Sequence, residues 1–156
     1  MQREQVDKEL KDSSFEFFYW FSRFEFALKE NGFLKDHLPG AKAEPSWEDF
    51  QAVGLPDYIA SPEACRLMEL HPKRQYVSAH GEPEWKRVGV SHCKNDLCRV
   101  ITMLRTVRNN LFHGGKHGDI DVDSKKRNLE LLGCGKVILD QLADSASLTN
   151  DYERFY

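Results

Sequence analysis

The first part of the chain carries apolar residues at helical spacing. Ser13 and Glu16 are spaced as a capping box, and Asn31-Gly32 is a typical helix end. The pattern between them predicts a helix over 13–32. Its main apolar stripe consists of Phe17, Trp20, Phe21, Phe24 and Leu28.

A second apolar side runs along the same helix, through Phe15, Tyr19 and Phe26. A helix that is apolar on two sides needs two neighbours. We expect the main stripe to face the domain core. The second side is then expected to contact either another helix of this chain or a second subunit.

The segment 35–90 contains all six prolines, which excludes long helices there. Two short helices are predicted from their caps. One has Ser46 as N-cap and Gly54 as its stop, and the other has Ser61 as N-cap, followed by Pro62. The remainder reads as irregular, with one short extended piece at 75–78.

A second long helix is predicted from Lys94 to Phe112. The final long helix is predicted to begin after Asp123 or Ser124 as N-cap, with Gly133 and Gly135 either weakening it or admitting a close neighbour. The apolar stripe of the helix over 94–112 consists of Leu97, Val100, Ile101, Leu104, Val107 and Leu111. The apolar stripe of the final helix consists of Leu129, Leu132, Val137, Ile138 and Leu142.

These elements predict an all-α fold in a single domain over 1–156. A proline-rich irregular insertion at about 35–90 separates the first long helix from the later ones. The polar and aromatic tail, 149–156, has no predicted place.

The composition excludes some functional classes. The chain has 156 residues, 40% of them hydrophobic, and a net charge of −3. The apolar supply argues against global disorder, and the charge gives no overall sign of nucleic-acid binding, so a basic site must be local. No apolar run is long enough to cross a bilayer, and the charged N-terminus lacks a signal-peptide core. We therefore expect a cytoplasmic protein whose four cysteines are reduced thiols.

The stretch "TVRNNLFHGGKHG", at 106–118, concentrates the candidate chemistry. Asn109 and His113 are four residues apart and share a helix face, so the amide can orient the imidazole. Arg108 and His113 are five apart, roughly 140° around a helix, and do not share a face. Between Arg99 and Lys116 there is no carboxylate, while Arg105 and Arg108 add to the positive charge.

These residue types suit cleavage of an RNA phosphodiester without metal. Histidine exchanges protons near neutral pH, and arginine holds a phosphate through two hydrogen bonds. A purely structural role is the alternative at this point. Basic residues favour a helix C-terminus, and Arg108 could instead pair with a carboxylate such as Glu25.

The motif Arg108-Asn109-x-x-x-His113 resembles the Rx4–6H signature of the HEPN superfamily of helical nucleotide-binding domains. Other stretches resemble a bacterial and plasmid-borne subgroup of that family: "FSRFEFALKENG", "PSWEDF", "HPKRQYV" and "PEWKRV". The resemblance implies a HEPN-like helical bundle. It also implies a metal-independent endoribonuclease of a toxin–antitoxin, CRISPR-associated or anti-phage defence system, with its active site between two paired domains.

The resemblance further implies roles for particular residues. Arg108, Asn109 and His113 would be catalytic, and Arg105, Lys116 and His117 would contact RNA, with no cofactor. The expected partners are RNA, a second copy of the chain, and a cognate antitoxin or defence-system subunit, but no membrane. Some HEPN toxins carry a regulatory tyrosine two residues after the histidine, where this chain has Gly115. The alternative is a non-catalytic module that binds a nucleotide or a partner.

Signals for a metal are weak in the sequence. His92, Cys93 and Cys98 are poorly spaced for a zinc knuckle and lack an evident fourth ligand. The acidic run that starts at Asp119 has Ser124 where a calcium-binding EF-hand loop needs glycine. We predict no metal site.

Overall fold

The fold is mostly helical, as the sequence predicts. The computed structural model describes residues 7–113 and 124–155, and of Phe112 and His113 it describes the backbone alone. In chain order the elements are α1 (Lys8–Glu30), α2 (Trp47–Asp49), α3 (Pro62–Leu70), β1 (Lys73–Val77), β2 (Pro83–Arg87), α4 (Asp96–His113), α5 (Lys125–Ser145) and α6 (Thr149–Tyr152). A π-helical turn, Phe50–Gly54, continues α2. No helix in the described ranges is both long enough and apolar enough to cross a membrane.

Helix α1 begins earlier than its predicted capping box. Asp7 is the N-cap, and its side chain accepts a hydrogen bond from the Leu10 N–H at 3.1 Å. Residue 13 therefore lies inside the helix, and the neighbouring Ser14 hydroxyl donates to the Leu10 carbonyl at 2.7 Å. The predicted end is confirmed, since Asn31 is the C-cap and Gly32 has a φ of 82°.

The caps of the two short helices are confirmed. The Ser46 hydroxyl accepts from the Asp49 N–H at 3.1 Å, and the Ser61 hydroxyl accepts from the Ala64 N–H at 3.1 Å. Each bond satisfies a backbone donor that has no partner within its helix. Both short helices therefore form where the local sequence places them.

The segment predicted as largely irregular contains an antiparallel hairpin, whose first strand overlaps the extended piece predicted at 75–78. The second strand is not predicted, and the fold as a whole is mostly helical. Strands β1 and β2 pair in the register Lys73↔Arg87 to Val77↔Pro83. The Ser78 N–H donates to the Glu82 carbonyl at 2.7 Å and closes the turn. Both strands are largely exposed, so the alternation of apolar and polar residues that reveals a half-buried strand is missing.

Helix α4 agrees with its predicted limits to within two residues, and α5 begins after Ser124, one of its two predicted N-caps. The predicted stripe of α4 is buried, except that Leu111 is half-buried. In α5 the predicted apolar stripe is wrong for Val137, which is exposed. The buried face of α5 is instead formed by Leu131, Leu139 and Ala143 together with Ile138 and Leu142. Helix α5 packs against α1 and α3.

The cysteines do not all remain free thiols. Cys93 and Cys98 form a disulfide with their Cα atoms 5.4 Å apart, so the prediction of four reduced thiols is wrong for this pair. Cys65 and Cys134 are free.

The C-terminal tail folds back onto α1. Tyr152 is 2% exposed, and its ring centroid lies 4.8 Å from that of Trp20. Its hydroxyl donates to Asp140 Oδ1 at 2.8 Å. Burial and the neighbouring Asp140 raise the pKa of Tyr152. Tyr152 therefore joins the tail to the core.

The two glycines of α5 have opposite environments. A β-carbon added at Gly135 would lie 2.6 Å from a ring carbon of Phe17 and 3.5 Å from Leu104 Cδ2. One added at Gly133 would meet no atom within 4 Å. The prediction that a glycine here admits a close neighbour is thus confirmed for Gly135.

We expect Gly135→Ala to lower the free energy of unfolding by about 1–2 kcal/mol. An added β-carbon 2.6 Å from the fully buried Phe17 ring should cost about 2–3 kcal/mol, the upper part of the usual range for overpacking, against a helix-propensity gain of about 1 kcal/mol. Gly133→Ala is the matched control and should raise stability by about 0.5–1 kcal/mol. Urea unfolding measures both, and equal effects of the two substitutions would contradict the close packing at Gly135.

Candidate functional site at the C-terminal end of α4

The last turns of α4 carry Arg108 and Asn109, the two motif residues whose side chains the structure describes. The buried side chains of Leu104 and Val107 fix this helix against the core. Asn110 adds a polar anchor, because its amide nitrogen donates to the Lys73 carbonyl of β1 at 2.8 Å. The neighbouring Arg108 and Asn109 are therefore carried on a helix end that is fixed on two sides.

Arg108 and Asn109 are joined to each other. An Arg108 guanidinium nitrogen donates to Asn109 Oδ1 at 2.9 Å. The Arg108 side chain is 31% exposed, so a ligand has access to it. The Asn109 amide oxygen thus orients the Arg108 guanidinium, a contact that is not predicted from the sequence.

Arg108 also contacts α1. Its other terminal nitrogen lies 3.4 Å from Glu25 Oε1, and its guanidinium carbon lies 5.2 Å from the centroid of the Phe21 ring. The same Glu25 oxygen accepts a hydrogen bond from Trp47 Nε1 at 2.9 Å. The structural role for Arg108, a pairing with Glu25, is therefore present in the fold.

The positive charge of the motif is opposed by carboxylates from elsewhere. Arg105 lies 3.0 Å from Glu48 Oε1, and Arg99 lies 2.9 Å from Asp96 Oδ1. Together with the contact between Arg108 and Glu25, each arginine of the motif region has an acidic neighbour. The local excess of positive charge is smaller than the sequence between 99 and 116 predicts.

These ion pairs are weak enough to exchange for a ligand. The side chains of Arg105 and Glu48 are 40% and 66% exposed, and such exposed pairs contribute about 0–1 kcal/mol. Burial acts to raise the pKa of Glu48, but its hydrogen bonds to the backbone and to Arg105 hold that pKa below its usual value. A phosphate offers arginine a charge-assisted, two-point contact, which is among the stronger hydrogen-bonded arrangements.

The structure describes little of the remaining residues predicted for this site. His113 is the last residue of α4, and nothing is described of its side chain. Lys116 and His117 lie outside the described residues. Around Arg108, the described side chains include no group of three that could ligate a metal.

Glu48 was not predicted as part of this site, although a signal for it exists. The Ser46 cap places Glu48 in the first turn of α2, where an acidic residue is favoured. Its contact with Arg105 joins residues 57 positions apart, and no local pattern reports such a distance.

Comparison with protein-family models, with curated proteins and with solved structures finds no match to this chain. The resemblance to the HEPN superfamily therefore rests on the sequence motifs alone.

Proposed function

We propose that the protein is a metal-independent endoribonuclease of HEPN type that acts as a homodimer, in a toxin–antitoxin or anti-phage defence system. The observation that carries the proposal is the pairing of Arg108 with Asn109 on the α4 helix that ends at His113. This chemistry needs an oriented and accessible guanidinium together with a histidine that exchanges protons.

In the proposed reaction, a 2′-hydroxyl of the RNA attacks the adjacent phosphorus. His113 takes the hydroxyl proton or returns a proton to the departing 5′-oxygen. Arg108 leaves Glu25 and stabilises the charge that develops on the phosphate oxygens. Arg105, Lys116 and His117 bind the RNA backbone. The products are a 2′,3′-cyclic phosphate and a 5′-hydroxyl.

A homodimer would solve a geometric problem of the motif. Arg108 and His113 diverge by roughly 140° around one helix, but two copies of a motif can converge across a two-fold axis. Phe15 and Tyr19, on the second apolar side of α1, are 68% and 40% exposed. Their apolar surface supports an association of subunits.

The second candidate is a non-catalytic module that binds a nucleotide or a protein partner. The acidic neighbours of Arg99, Arg105 and Arg108 favour it, since paired arginines are typical of a structural network. In that case a ligand phosphate would bind without being cleaved.

RNA cleavage in EDTA separates the two candidates. We expect wild type to cleave mixed cellular RNA, leaving 2′,3′-cyclic phosphate ends. His113→Ala should lower the rate by about 10²- to 10⁴-fold, because it removes the proton-transfer group. Equal cleavage by wild type and His113→Ala would exclude this active site. RNA binding without cleavage by either would favour the module.

Arg66→Ala is the matched control for the loss of an ion-paired arginine. Arg66 contacts Glu69 and Glu130 on α3 and α5, and its side chain is 46% exposed. Its removal should leave cleavage unchanged, so that a general effect of lost surface charge can be told apart from an effect at the site.

A further inference from the structure

The turn before α4 brings together three side chains that can ligate a metal. His92 Nε2, Cys93 Sγ and Cys98 Sγ all lie within 4.8 Å of one another. A backbone hydrogen bond of 3.0 Å from the Cys93 N–H to the Val90 carbonyl forms the turn. Cys98 is in the first turn of α4, where its N–H donates to Asn95 Oδ1 at 2.9 Å.

The chemistry of this group favours a borderline-soft ion. Two thiolates and an imidazole are ligands typical of Zn²⁺. His92 Nε2 lies 3.5 Å from Cys93 Sγ. Two ligands of one tetrahedral zinc, with bonds of about 2.0 and 2.3 Å, are separated by about 3.5 Å. This part of the geometry therefore fits a zinc ion without rearrangement.

We propose that the reduced protein binds one Zn²⁺ through His92, Cys93 and Cys98. Three protein ligands leave the fourth tetrahedral position to water or to a small ligand. The helix N-terminus favours the thiolate of Cys98. Thr102 Oγ1 lies 3.7 Å from Cys93 Sγ and provides a hydroxyl near the other thiolate.

The disulfide is the state that excludes the metal. Two molecules of a low-molecular-weight thiol reduce the Cys93–Cys98 bond, giving two cysteine thiols and one small disulfide in a two-electron exchange. The two sulfurs then separate to about 3.8 Å, the distance between two zinc-bound thiolates. Zinc binding displaces both thiol protons. In the oxidised protein His92 alone remains as a ligand of this set.

The zinc site is independent of the proposed ribonuclease site. Cys98 and Arg108 are ten residues apart on α4, which places them about 15 Å apart along the helix axis. Loss of one function therefore does not entail loss of the other. Cleavage in EDTA tests the ribonuclease, and metal binding tests this inference.

The test is a titration of the full-length, phosphine-reduced protein with Co²⁺ in the absence of oxygen. Thiolate coordination produces a sulfur-to-cobalt charge-transfer absorption, and added Zn²⁺ should abolish it. We expect one ion per chain in the reduced protein and no such absorption in the oxidised protein. Zinc should also raise the Tm of the reduced protein alone.

The variants His92→Ala, Cys93→Ser and Cys98→Ser identify the ligands. Loss of a group that only hydrogen-bonds a metal ligand costs about 10- to 100-fold in affinity, so loss of a ligand should cost at least about 100-fold. Cys65→Ser, at an exposed free cysteine of α3, is the matched control and should bind as wild type. His92 is exposed, so its variant retains the fold even where a cysteine variant does not.

Two results would overturn the proposal. One is the absence of charge-transfer absorption in the reduced wild type. The other is unchanged affinity in His92→Ala together with a loss in Cys65→Ser, which would place any bound metal at a different cysteine.

Discussion

Arg108→Ala should lower the rate of RNA cleavage by about 10²- to 10³-fold, the usual cost of removing one group that stabilises transition-state charge. The Arg108 guanidinium donates a hydrogen bond to Asn109, and 31% of its side chain is exposed, so it is accessible to an RNA phosphate. Its alternative partner, Glu25 at 3.4 Å, is held separately by Trp47 Nε1. The substitution should therefore leave the α1 contact partly intact and lower the free energy of unfolding by only about 1 kcal/mol.

Two further variants separate catalysis from structure. Arg108→Lys keeps the charge but loses the planar fork that binds phosphate through two hydrogen bonds, so we expect a loss of cleavage close to that of alanine. Glu25→Gln removes the competing charge and retains an oxygen for Trp47, so cleavage should equal or exceed that of wild type. Steady-state cleavage of one defined RNA, with Tm measured in parallel, gives both readouts.

A purely structural Arg108 predicts the reverse pattern. Glu25→Gln and Arg108→Ala would then destabilise the protein similarly, and the double variant would cost less than the sum of the two. Such coupling in stability, with cleavage unchanged in all three variants, would remove Arg108 from the active site.

Arg23→Ala should produce the largest loss of stability among the polar substitutions considered, about 2–4 kcal/mol. Arg23 is 2% exposed, and its guanidinium donates to the carbonyls of Asp151, Tyr152 and Arg154 at 2.6, 3.1 and 3.0 Å. Each hydrogen bond to a charged group contributes about 1.5–3 kcal/mol, part of which water restores when the tail detaches. The guanidinium also lies 4.5 Å above the Phe26 ring.

The effect of Arg23→Ala should be localised to the tail. Because Arg23 holds α6 against α1, its loss should expose 149–155 to carboxypeptidase and uncover the Trp20 and Tyr152 rings. Arg66→Ala is again the control, and its exposed ion pairs should cost less than about 1 kcal/mol. Urea unfolding and proteolysis measure the two effects, and a protected tail in Arg23→Ala would contradict the anchoring role.

The helices and their caps follow from the sequence because their causes are local. The hydroxyls of Ser46, Ser61 and Ser124 each accept from an N–H three residues on, so a few residues contain the whole interaction. The predicted start of α1 is wrong because the local sequence offers more than one cap. Ser13 and Asp7 are both able to cap a helix, and the local pattern does not rank them.

The hairpin and the tail depend on partners that local patterns do not contain. The strands β1 and β2 are stabilised by their mutual backbone hydrogen bonds, while their exposed side chains carry no periodic signal. The tail is held by Arg23, 128 and more residues away. Burial of Tyr152 against Trp20 is a consequence of that return to α1.

The candidate site also combines local features, which the sequence predicts, with contacts between distant segments, which it does not predict. The sequence by itself determined that Arg108, Asn109 and His113 lie at the end of a helix, because helical periodicity and the spacing of the motif are local properties. Only the tertiary structure decided that Glu25, 83 residues away, faces Arg108 and that Glu48 faces Arg105. Charge pairing between distant segments follows from how the apolar faces of α1, α2 and α4 pack in the core.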